Sequence, residues 1–325
     1  MGLHCHIILD GLTLHESASI LRRVSCLGEA LTMRLPRVQF RSSPLPVSRT
    51  GTAVEVTAAK AGWRFVHFAV RHVAPSTPWA GSTGGEECCL VLLQGTCRVE
   101  FGAQGAHASS QMAAPLGPRR DVFSGYPHAL YLPSRTRFRV MADEPTELAD
   151  GRAPSGERFE PRLIRPEDCG FEIRGGGNAT RQVVDILPPA APAHRLLVCE
   201  VFTPAGNWSS YPPHKHDVNR PSGEVKLEEV YYYRFAEREG FGFQRLYDAK
   251  TDRTLTVTHG DVVLIKSGYH PFVTAHGFNA YYLNVLAGTR RSMAASDDPR
   301  YAALRRWPPP DPRAPIVTPP AGTMG

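Results

Sequence analysis

The hydrophobic residues of this 325-residue chain occur in short runs rather than at helical spacing. Residues 63–73 form an aromatic and β-branched run, residues 88–102 form two such runs around Gly95, and residues 129–133 and 137–140 continue the series. Gly and Pro, 29 of each, punctuate the sequence and favour turns. This pattern predicts short strands and an all-β first block.

A second block of short strand-like runs begins near Phe171. Each block holds an apolar strand pair, then an Asp-Val strand start (Asp121 in the first block, Asp261 in the second), and then an aromatic-rich strand. A repeat of this size predicts two stacked β-barrels with few short helices. We expect one barrel over residues 51–165 and the other over residues 166–295.

The two ends of the chain differ from these blocks. Residues 1–50 hold scattered His, Cys and Arg with one weakly helical stretch, residues 16–35. We expect this segment to be an extension that is poorly ordered or lies upstream of the true start, with no part in the chemistry. Residues 296–325 become proline-rich from Pro308 onward, which predicts a disordered tail.

Charge and cysteine content narrow the classes of function. The formal net charge is +6, but the basic residues are spread along the chain, which argues against a nucleic-acid partner. No apolar run is long enough to cross a bilayer, and the start lacks the pattern of a signal peptide. The seven cysteines form no CxxC pair. We therefore expect a cytoplasmic protein with reduced thiols and no membrane partner, whose assembly into a homo-oligomer stays open.

Three histidines and one glutamate predict a metal centre in the second block. His214 and His216 are two residues apart and would share one face of a strand. Glu229 opens a second strand-like run, and His270 ends a third. Three neutral nitrogens and one carboxylate suit a divalent metal such as Zn, Mn or Fe and leave positions open for substrate. The first block has no histidine pair, so we expect one metal site per chain and no organic cofactor.

Longer motifs surround these residues. They are Gly206-Asn-Trp-Ser-Ser-Tyr-Pro-Pro-His-Lys-His-Asp217, residues 227–232, 260–264, 268–271 and 281–288, and, in the first block, residues 61–64, 90–95 and 129–133. Together they resemble the 5-deoxy-glucuronate isomerase family of inositol catabolism, which has the cupin metal-binding pattern. The resemblance covers about residues 53–288. Lys266 departs from it, because proline is expected there, and this changes the rigidity of the turn more than its chemistry.

The resemblance implies two tandem cupin barrels, of the double-stranded β-helix or jelly-roll type, and a metal-dependent isomerase. The implied reaction converts 5-deoxy-D-glucuronate into 5-dehydro-2-deoxy-D-gluconate, so the expected partner is a small anionic sugar acid. The metal would act as a Lewis acid at C1 and C2, with either proton transfer or a hydride shift. The uronate ketol-isomerase of pectin breakdown, a cupin dioxygenase and a non-catalytic sugar-binding cupin stay open as alternatives.

Further residues receive expected roles. Glu229 is favoured over Glu228 as the carboxylate ligand because it directly precedes the tyrosine run, as in the cupin pattern. Tyr231 and Tyr233 share the strand face of Glu229 and are the predicted acid/base groups. Arg245 is the predicted partner of the substrate carboxylate, because a guanidinium matches a carboxylate with two hydrogen bonds. Other candidates are Asp217 and Tyr269 for proton transfer, Lys215, Arg220 and Lys266 for the carboxylate, and Trp208 and Tyr211 for the pocket wall.

Overall fold

The computed structural model describes residues 37–105, 111–221, 223–306 and 309–321. From residue 38 onward they belong to one compact unit built almost entirely of strands. Helix α1 (Ala58–Ala61) is a single turn, and two 3-10 segments lie at Pro166–Asp168 and Ala302–Arg306. The all-β prediction is confirmed. Within the described part of the chain, no helix has the length and apolar character needed to span a bilayer.

The first barrel is formed by nine strands that follow a separate N-terminal strand, β1. The ten strands are β1 (Gln39–Arg41), β2 (Gly51–Val56), β3 (His67–Val73), β4 (Trp79–Ser82), β5 (Glu86–Ala103), β6 (Met112–Arg119), β7 (Ala129–Leu132), β8 (Thr136–Ala142), β9 (Thr146–Pro154) and β10 (Arg162–Ile164). One sheet has the order β10-β7-β5-β9-β3-β2. The distal half of β5 pairs with β6 and β8, and β8 pairs with β4, which completes the barrel.

The long strand β5 serves both sheets because it turns at Gly95. The sequence pattern predicts two strands around this glycine, whereas the structure has one strand with a register shift between Gly95 and Cys97. Gly95 has φ +100°, and a Cβ there would lie 2.5 Å from Thr146 Oγ1. Glycine therefore lets the strand change direction without ending.

The second barrel contains the predicted metal ligands. Its strands are β11 (Phe171–Arg174), β12 (Arg181–Leu187), β13 (Leu197–Thr203), β14 (Trp208–Ser209), β15 (His214–Lys215), β16 (Leu227–Phe235), β17 (Phe241–Tyr247), β18 (Asp252–Thr258), β19 (Asp261–Ile265), β20 (Phe272–Thr274), β21 (Ala280–Gly288) and β22 (Ser296–Asp297). The larger sheet has the order β1-β19-β16-β21-β13-β12-β11, and the smaller one β14-β20-β17-β18. Strand β15 pairs with β22.

Strand alternation divides the apolar residues among separate cores. On β16, Tyr231 and Tyr233 point into the core of the second barrel, while Val230 and Tyr232 point into a core shared by the two barrels. Leu90 on β5 packs in a third core, inside the first barrel. Because both faces of these central strands are buried, each reads as a nearly continuous apolar run.

Two glutamates join the barrels in a reciprocal way. The Glu87 carboxylate of the first barrel accepts hydrogen bonds from the backbone N–H groups of residues 194–196, which lead into β13. The Glu228 carboxylate of the second barrel accepts from those of residues 64–66, which lead into β3. Each barrel therefore caps a loop of the other, as expected for two copies of one unit that pack face to face. The division into domains at residue 165 stays a prediction.

The expectations for the two ends need correction where the structure describes them. Residues 39–41 form β1, which pairs with β19 of the second barrel although it comes before the first. In the tail, Val317 is buried and exchanges backbone hydrogen bonds with the Gln182 side chain. The tail therefore packs through single anchoring residues that proline-rich composition does not reveal. The weakly helical stretch 16–35 lies outside the described residues.

Candidate metal centre

Three of the four predicted ligands come together inside the second barrel. His216 follows β15, Glu229 lies on β16 and His270 precedes β20. One ligand atom from each lies within 4.8 Å of the others, and within the described residues this is the only such group. Glu229 Oε2 is 2.8 Å from His216 Nε2 and 3.5 Å from His270 Nε2. All three side chains are buried.

Backbone carbonyls orient the imidazole rings. His216 Nδ1 lies 3.2 Å from the Leu227 carbonyl oxygen, and His270 Nδ1 lies 3.1 Å from that of Gly268. His214 Nδ1 is 3.4 Å from the Pro212 carbonyl oxygen. A proton on Nδ1 in these contacts leaves Nε2 as the lone-pair nitrogen, which is the arrangement that metal-binding histidines adopt.

The atoms at the centre fit a metal ion. His270 Nε2 is fully buried and has no hydrogen-bond partner, which is costly unless another group binds it. Glu229 Oε1 is held by Asn284 Nδ2, so Oε2 is the oxygen that faces the imidazoles. A carboxylate oxygen and imidazole nitrogens together suit Zn²⁺, Mn²⁺ or Fe²⁺.

His214 lies beside this group. Its ring centroid is 4.7 Å from that of His270 and 6.4 Å from that of His216. Burial lowers the pKa of His214 to about 3 and that of His270 to about 3, so both imidazoles are neutral at pH 7. Burial also opposes the charged form of His216, but the hydrogen bond to Glu229 outweighs it and raises the pKa of His216.

The turn before His270 depends on one glycine. Gly268 has φ +78°, and a Cβ there would lie 2.4 Å from the Tyr247 carbonyl oxygen. Its N–H donates to Asp217 Oδ2 at 3.0 Å. The other oxygen of Asp217 accepts from Lys215 Nζ, which also donates to Glu224. Asp217 and Lys215 therefore stabilise the ligand loops and do not face the metal centre.

A cavity of about 70 Å³ opens onto the centre. Its wall includes His214, His216 and Glu229 together with Tyr231. The other lining residues mix polar and apolar side chains: Arg174, Arg181, Val183, Cys199, Val201, Ser210, Leu227, Tyr282, Asn284, Leu286, Met293 and Ala295. A cavity with apolar walls and a few converging polar groups is typical of a small-molecule site.

Tyr231 and Tyr282 form one wall of this cavity. Their rings stack with centroids 4.5 Å apart, and Tyr231 packs edge-on against His270 at 5.9 Å. The Tyr231 hydroxyl is 2.8 Å from Ser210 Oγ, and Ser210 has φ +51°, a strained conformation for a residue with a side chain. Burial raises the pKa of Tyr231 well above its usual value, so its hydroxyl keeps its proton at neutral pH.

Tyr233, the other predicted acid/base residue, does not line the cavity. Its hydroxyl donates to Gln244 Oε1, and Gln244 Nε2 donates to the carbonyl oxygens of His270 and Pro271 at 2.6 and 3.1 Å. Tyr233 therefore supports the segment that carries His270. Tyr233 is four residues after Glu229 on β16, so its side chain points to the same face of the strand, but it lies too deep in the barrel to line the cavity.

Arg245 lies away from the cavity. Its guanidinium makes two hydrogen bonds to Asp252, at 2.9 and 2.6 Å, and its side chain is 38% exposed. The prediction for Arg245 relied on its strand being near the site, but its strand position directs it to a surface ion pair. Lys266 donates instead to the Ala61 carbonyl oxygen, and Arg220 is exposed.

The other aromatic candidates, Trp208, Tyr211 and Tyr269, do not line the cavity. Trp208 packs against Tyr211 with ring centroids 5.4 Å apart, and Tyr269 packs against Tyr247 at 5.2 Å. Glu228 faces away from the metal centre, where it caps the loop of residues 64–66. Glu229, by contrast, belongs to the His216–Glu229–His270 group.

Sequence reasoning did not identify several other cavity residues, among them Ser210, Tyr282, Asn284 and Arg181. Ser210, Tyr282 and Asn284 lie within the motifs that carry the family resemblance, which was a usable signal. Arg181, at the start of β12, lies outside every one of those motifs. Only the folded chain brings it to the cavity.

Comparisons with known proteins agree with this arrangement. The model of the KduI/IolB family matches residues 43–304. A 5-deoxy-glucuronate isomerase from Geobacillus thermodenitrificans (strain NG80-2) is 42% identical over 252 residues, which cover 77% of this chain and 89% of the relative. The protein of that name from Bacillus subtilis (strain 168) is 37% identical over 251 residues, 76% of this chain and 90% of the relative.

Solved structures give the same result at the level of the fold. An IolB-like protein from Salmonella typhimurium LT2 superposes with a TM-score of 0.76 at 33% identity, covering 82% of this chain and 99% of that one. An oxalate decarboxylase from Lactobacillus farciminis superposes with a TM-score of 0.55 at 12% identity over 81% and 89% of the two chains, which shows a shared fold alone. The prediction of two tandem cupin barrels is confirmed. The chain belongs to the KduI/IolB family.

Proposed function

We propose that this chain is a 5-deoxy-glucuronate isomerase, an intramolecular oxidoreductase of inositol catabolism. The reaction converts 5-deoxy-D-glucuronate into 5-dehydro-2-deoxy-D-gluconate by exchange of the carbonyl and hydroxyl at C1 and C2. The observation that carries the proposal is the His216–Glu229–His270 group in an open cavity, within a chain 42% identical to proteins of that name. The five described cysteines are all free and buried, which supports a cytoplasmic location.

The proposed metal ligands are His216, Glu229 and His270, with His214 as the fourth. A bound Zn²⁺, Mn²⁺ or Fe²⁺ would supply Lewis acidity to the aldehyde oxygen and the neighbouring hydroxyl. The neutral state of His214 and His270 supports this assignment, because protonated imidazoles do not bind metals.

The protein itself contributes a proton donor and a shielded site. The Tyr231 hydroxyl keeps its proton at neutral pH, so it can donate a hydrogen bond to an oxygen that gains negative charge during the reaction. It is not suited to act as a general base from that state. Val183, Val201 and Leu286 give the cavity apolar walls, which reduce the competition of water with these hydrogen bonds.

Incubation of the metal-loaded protein with 5-deoxy-glucuronate tests the proposal. We expect the aldehyde proton signal to disappear in the NMR spectrum as the 2-deoxy-ketose signals appear. The His216→Ala variant serves as control and is expected to be inactive, because it removes a ligand. Failure of the wild-type protein to consume the aldehyde, or equal turnover by the variant, would contradict the proposal.

The same reaction in heavy water distinguishes the two chemical routes. Deuterium incorporated at the product carbon that was C1 of the substrate supports proton transfer through a residue that exchanges with solvent. Its absence supports a direct hydride shift between C2 and C1.

A further inference from the structure

Arg181 is an unusual residue in the wall of the cavity. It is only 6% exposed, and its Nη1 donates to the carbonyl oxygens of Ala179 and Tyr211 at 3.1 and 2.7 Å. Its Nε and Nη2 donate to no atom of the described residues, and none of the carboxylates described forms an ion pair with it. These two nitrogens form the edge of a guanidinium that binds a carboxylate with two parallel hydrogen bonds.

The other buried arginines, and the other arginine that lines this cavity, each pair with a glutamate. Arg119 binds Glu200 through two hydrogen bonds of 2.8 Å, and Arg234 binds Glu147. Arg174, which lines the same cavity, is paired with Glu172. Arg181 therefore differs from its neighbours in lacking an anion.

Such a charge is expensive to bury. Removing a guanidinium from water without an opposite charge is strongly unfavourable, and two backbone carbonyls replace only part of the lost hydration. Burial lowers the pKa of Arg181 to about 10, so the side chain is still charged at neutral pH. A cation kept in this state in a cavity wall is prepared for an anionic ligand.

We propose that Arg181 binds the carboxylate of the sugar-acid substrate, with Nε and Nη2 facing its two oxygens. The inference rests on the proposed function, because it assigns the acid end of that substrate within the same cavity. It replaces Arg245, whose guanidinium is already paired with Asp252.

The hydrogen bond from Arg181 to the Tyr211 carbonyl oxygen gives Arg181 a second role. Tyr211 lies three residues before His214, so the guanidinium that binds the carboxylate also holds the loop that leads to the metal ligands. Binding of the acid end thereby fixes the substrate relative to the metal centre. A misplaced carboxylate would misplace C1 and C2 as well.

A pair of ligands that differ only in charge tests the assignment. Borohydride reduction of 5-deoxy-glucuronate at C1 gives an acid that cannot isomerise, and reduction of its carboxyl group gives the matching neutral alditol. Calorimetry on the metal-loaded protein measures binding of both. We expect Arg181→Gln to weaken binding of the acid about 10- to 100-fold, as expected for loss of charge-assisted hydrogen bonds, and to leave binding of the alditol unchanged.

Two further variants complete the design. Arg181→Lys keeps the charge but loses the two-pronged geometry, so it should lose less affinity for the acid than Arg181→Gln, and it replaces that variant if the glutamine protein fails to fold. Arg98→Gln removes a guanidinium that is 61% exposed on β5 of the first barrel and should change neither affinity.

The outcomes separate this inference from the proposed function. If Arg181→Gln, or Arg181→Lys in its place, keeps the wild-type preference for the acid, or loses both ligands equally, Arg181 is not the carboxylate-binding residue, even if the wild type isomerises the substrate. If preference for the acid depends on Arg181 but the wild type does not turn over 5-deoxy-glucuronate, the proposed function fails and the anion site stands.

Discussion

The two barrels use the same strand framework with different polar interiors. The reciprocal caps of Glu87 and Glu228 align the barrels, so that Cys88 corresponds to Glu229 and, through the strand registers, Asp150 corresponds to Asn284. In the second barrel Asn284 donates to Glu229. In the first, the Cys88 thiol donates to Asp150 at 3.3 Å.

What surrounds this pair differs between the barrels. In the first barrel Asp150 accepts two hydrogen bonds from Arg152, at 2.7 and 3.0 Å, and one from Arg71 at 3.3 Å. In the second barrel, Glu229 of the Asn284–Glu229 pair faces His216 and His270. Arginines close the first interior with fixed charges, whereas histidines give the second nitrogen atoms that can bind a metal. One framework therefore supports either a salt-bridge network or a metal centre.

The largest difference should appear in metal content. Glu229→Gln removes the only carboxylate of the candidate centre, so we expect affinity for the metal to fall by more than about 100-fold. Cys88→Ser changes the corresponding position of the first barrel and should leave metal content at the wild-type level. Elemental analysis after dialysis measures both. Metal retained by Glu229→Gln, or lost from Cys88→Ser, would break the assignment of one site to the second barrel.

In the first barrel, by contrast, the corresponding polar group should affect stability and not metal content. Asp150→Asn gives the first barrel the amide of the second and leaves Arg152 and Arg71 without their shared carboxylate. We expect a loss of about 2–3 kcal/mol in the free energy of unfolding, below the range for fully buried pairs because both arginines are partly exposed. Urea denaturation measures the change, and the metal content should not move. An unchanged urea midpoint would show that the network adds nothing to stability.

The reciprocal caps allow a matched comparison of smaller effects. Glu87→Gln and Glu228→Gln each replace an oxygen that accepts from backbone N–H groups, so each should cost about 1–2 kcal/mol of stability. Glu87 also accepts from the Tyr131 hydroxyl at 2.8 Å, so its variant should be the less stable one. Thermal unfolding of the two variants ranks them. If Glu228→Gln proves the less stable, the two interfaces are not equivalent in energy.

The sequence predicts the parts of the centre that depend on local pattern. The two-residue spacing of His214 and His216 predicts side chains on one side of an extended segment, although β15 itself ends at Lys215. Alternation of side chains along β16 distinguishes Glu229 from Glu228. Arg181 and Arg245 show where this reasoning ends. Which arginine reaches the cavity depends on how β12 and β17 pack, and whether it is free depends on a carboxylate from another strand, as Asp252 on β18 is for Arg245. Patterns along one strand contain neither fact.

The smallest expected effect compares the starts of two corresponding strands. His67 on β3 and Glu86 on β5 form a hydrogen bond of 2.8 Å, and the strand registers place Leu197 and Leu227 at the same positions in the second barrel. The hydrogen bond to Glu86 raises the pKa of His67 above its usual 6.5, against the opposing effect of burial. The leucine pair carries no titratable group.

This difference predicts a pH dependence that the His67–Glu86 pair contributes and the corresponding leucine pair does not. Because the folded pKa of His67 exceeds the unfolded value of 6.5, its stabilisation is fully present below pH 6.5 and is lost as the pH rises through the folded pKa. The effect is small since the His67 side chain is 36% exposed. His67→Gln should flatten this part of the curve of unfolding free energy against pH, while Leu197→Val should lower the whole curve without changing its slope. A slope identical to that of the wild type in His67→Gln would show that His67 contributes nothing to the pH dependence and remove this difference between the barrels.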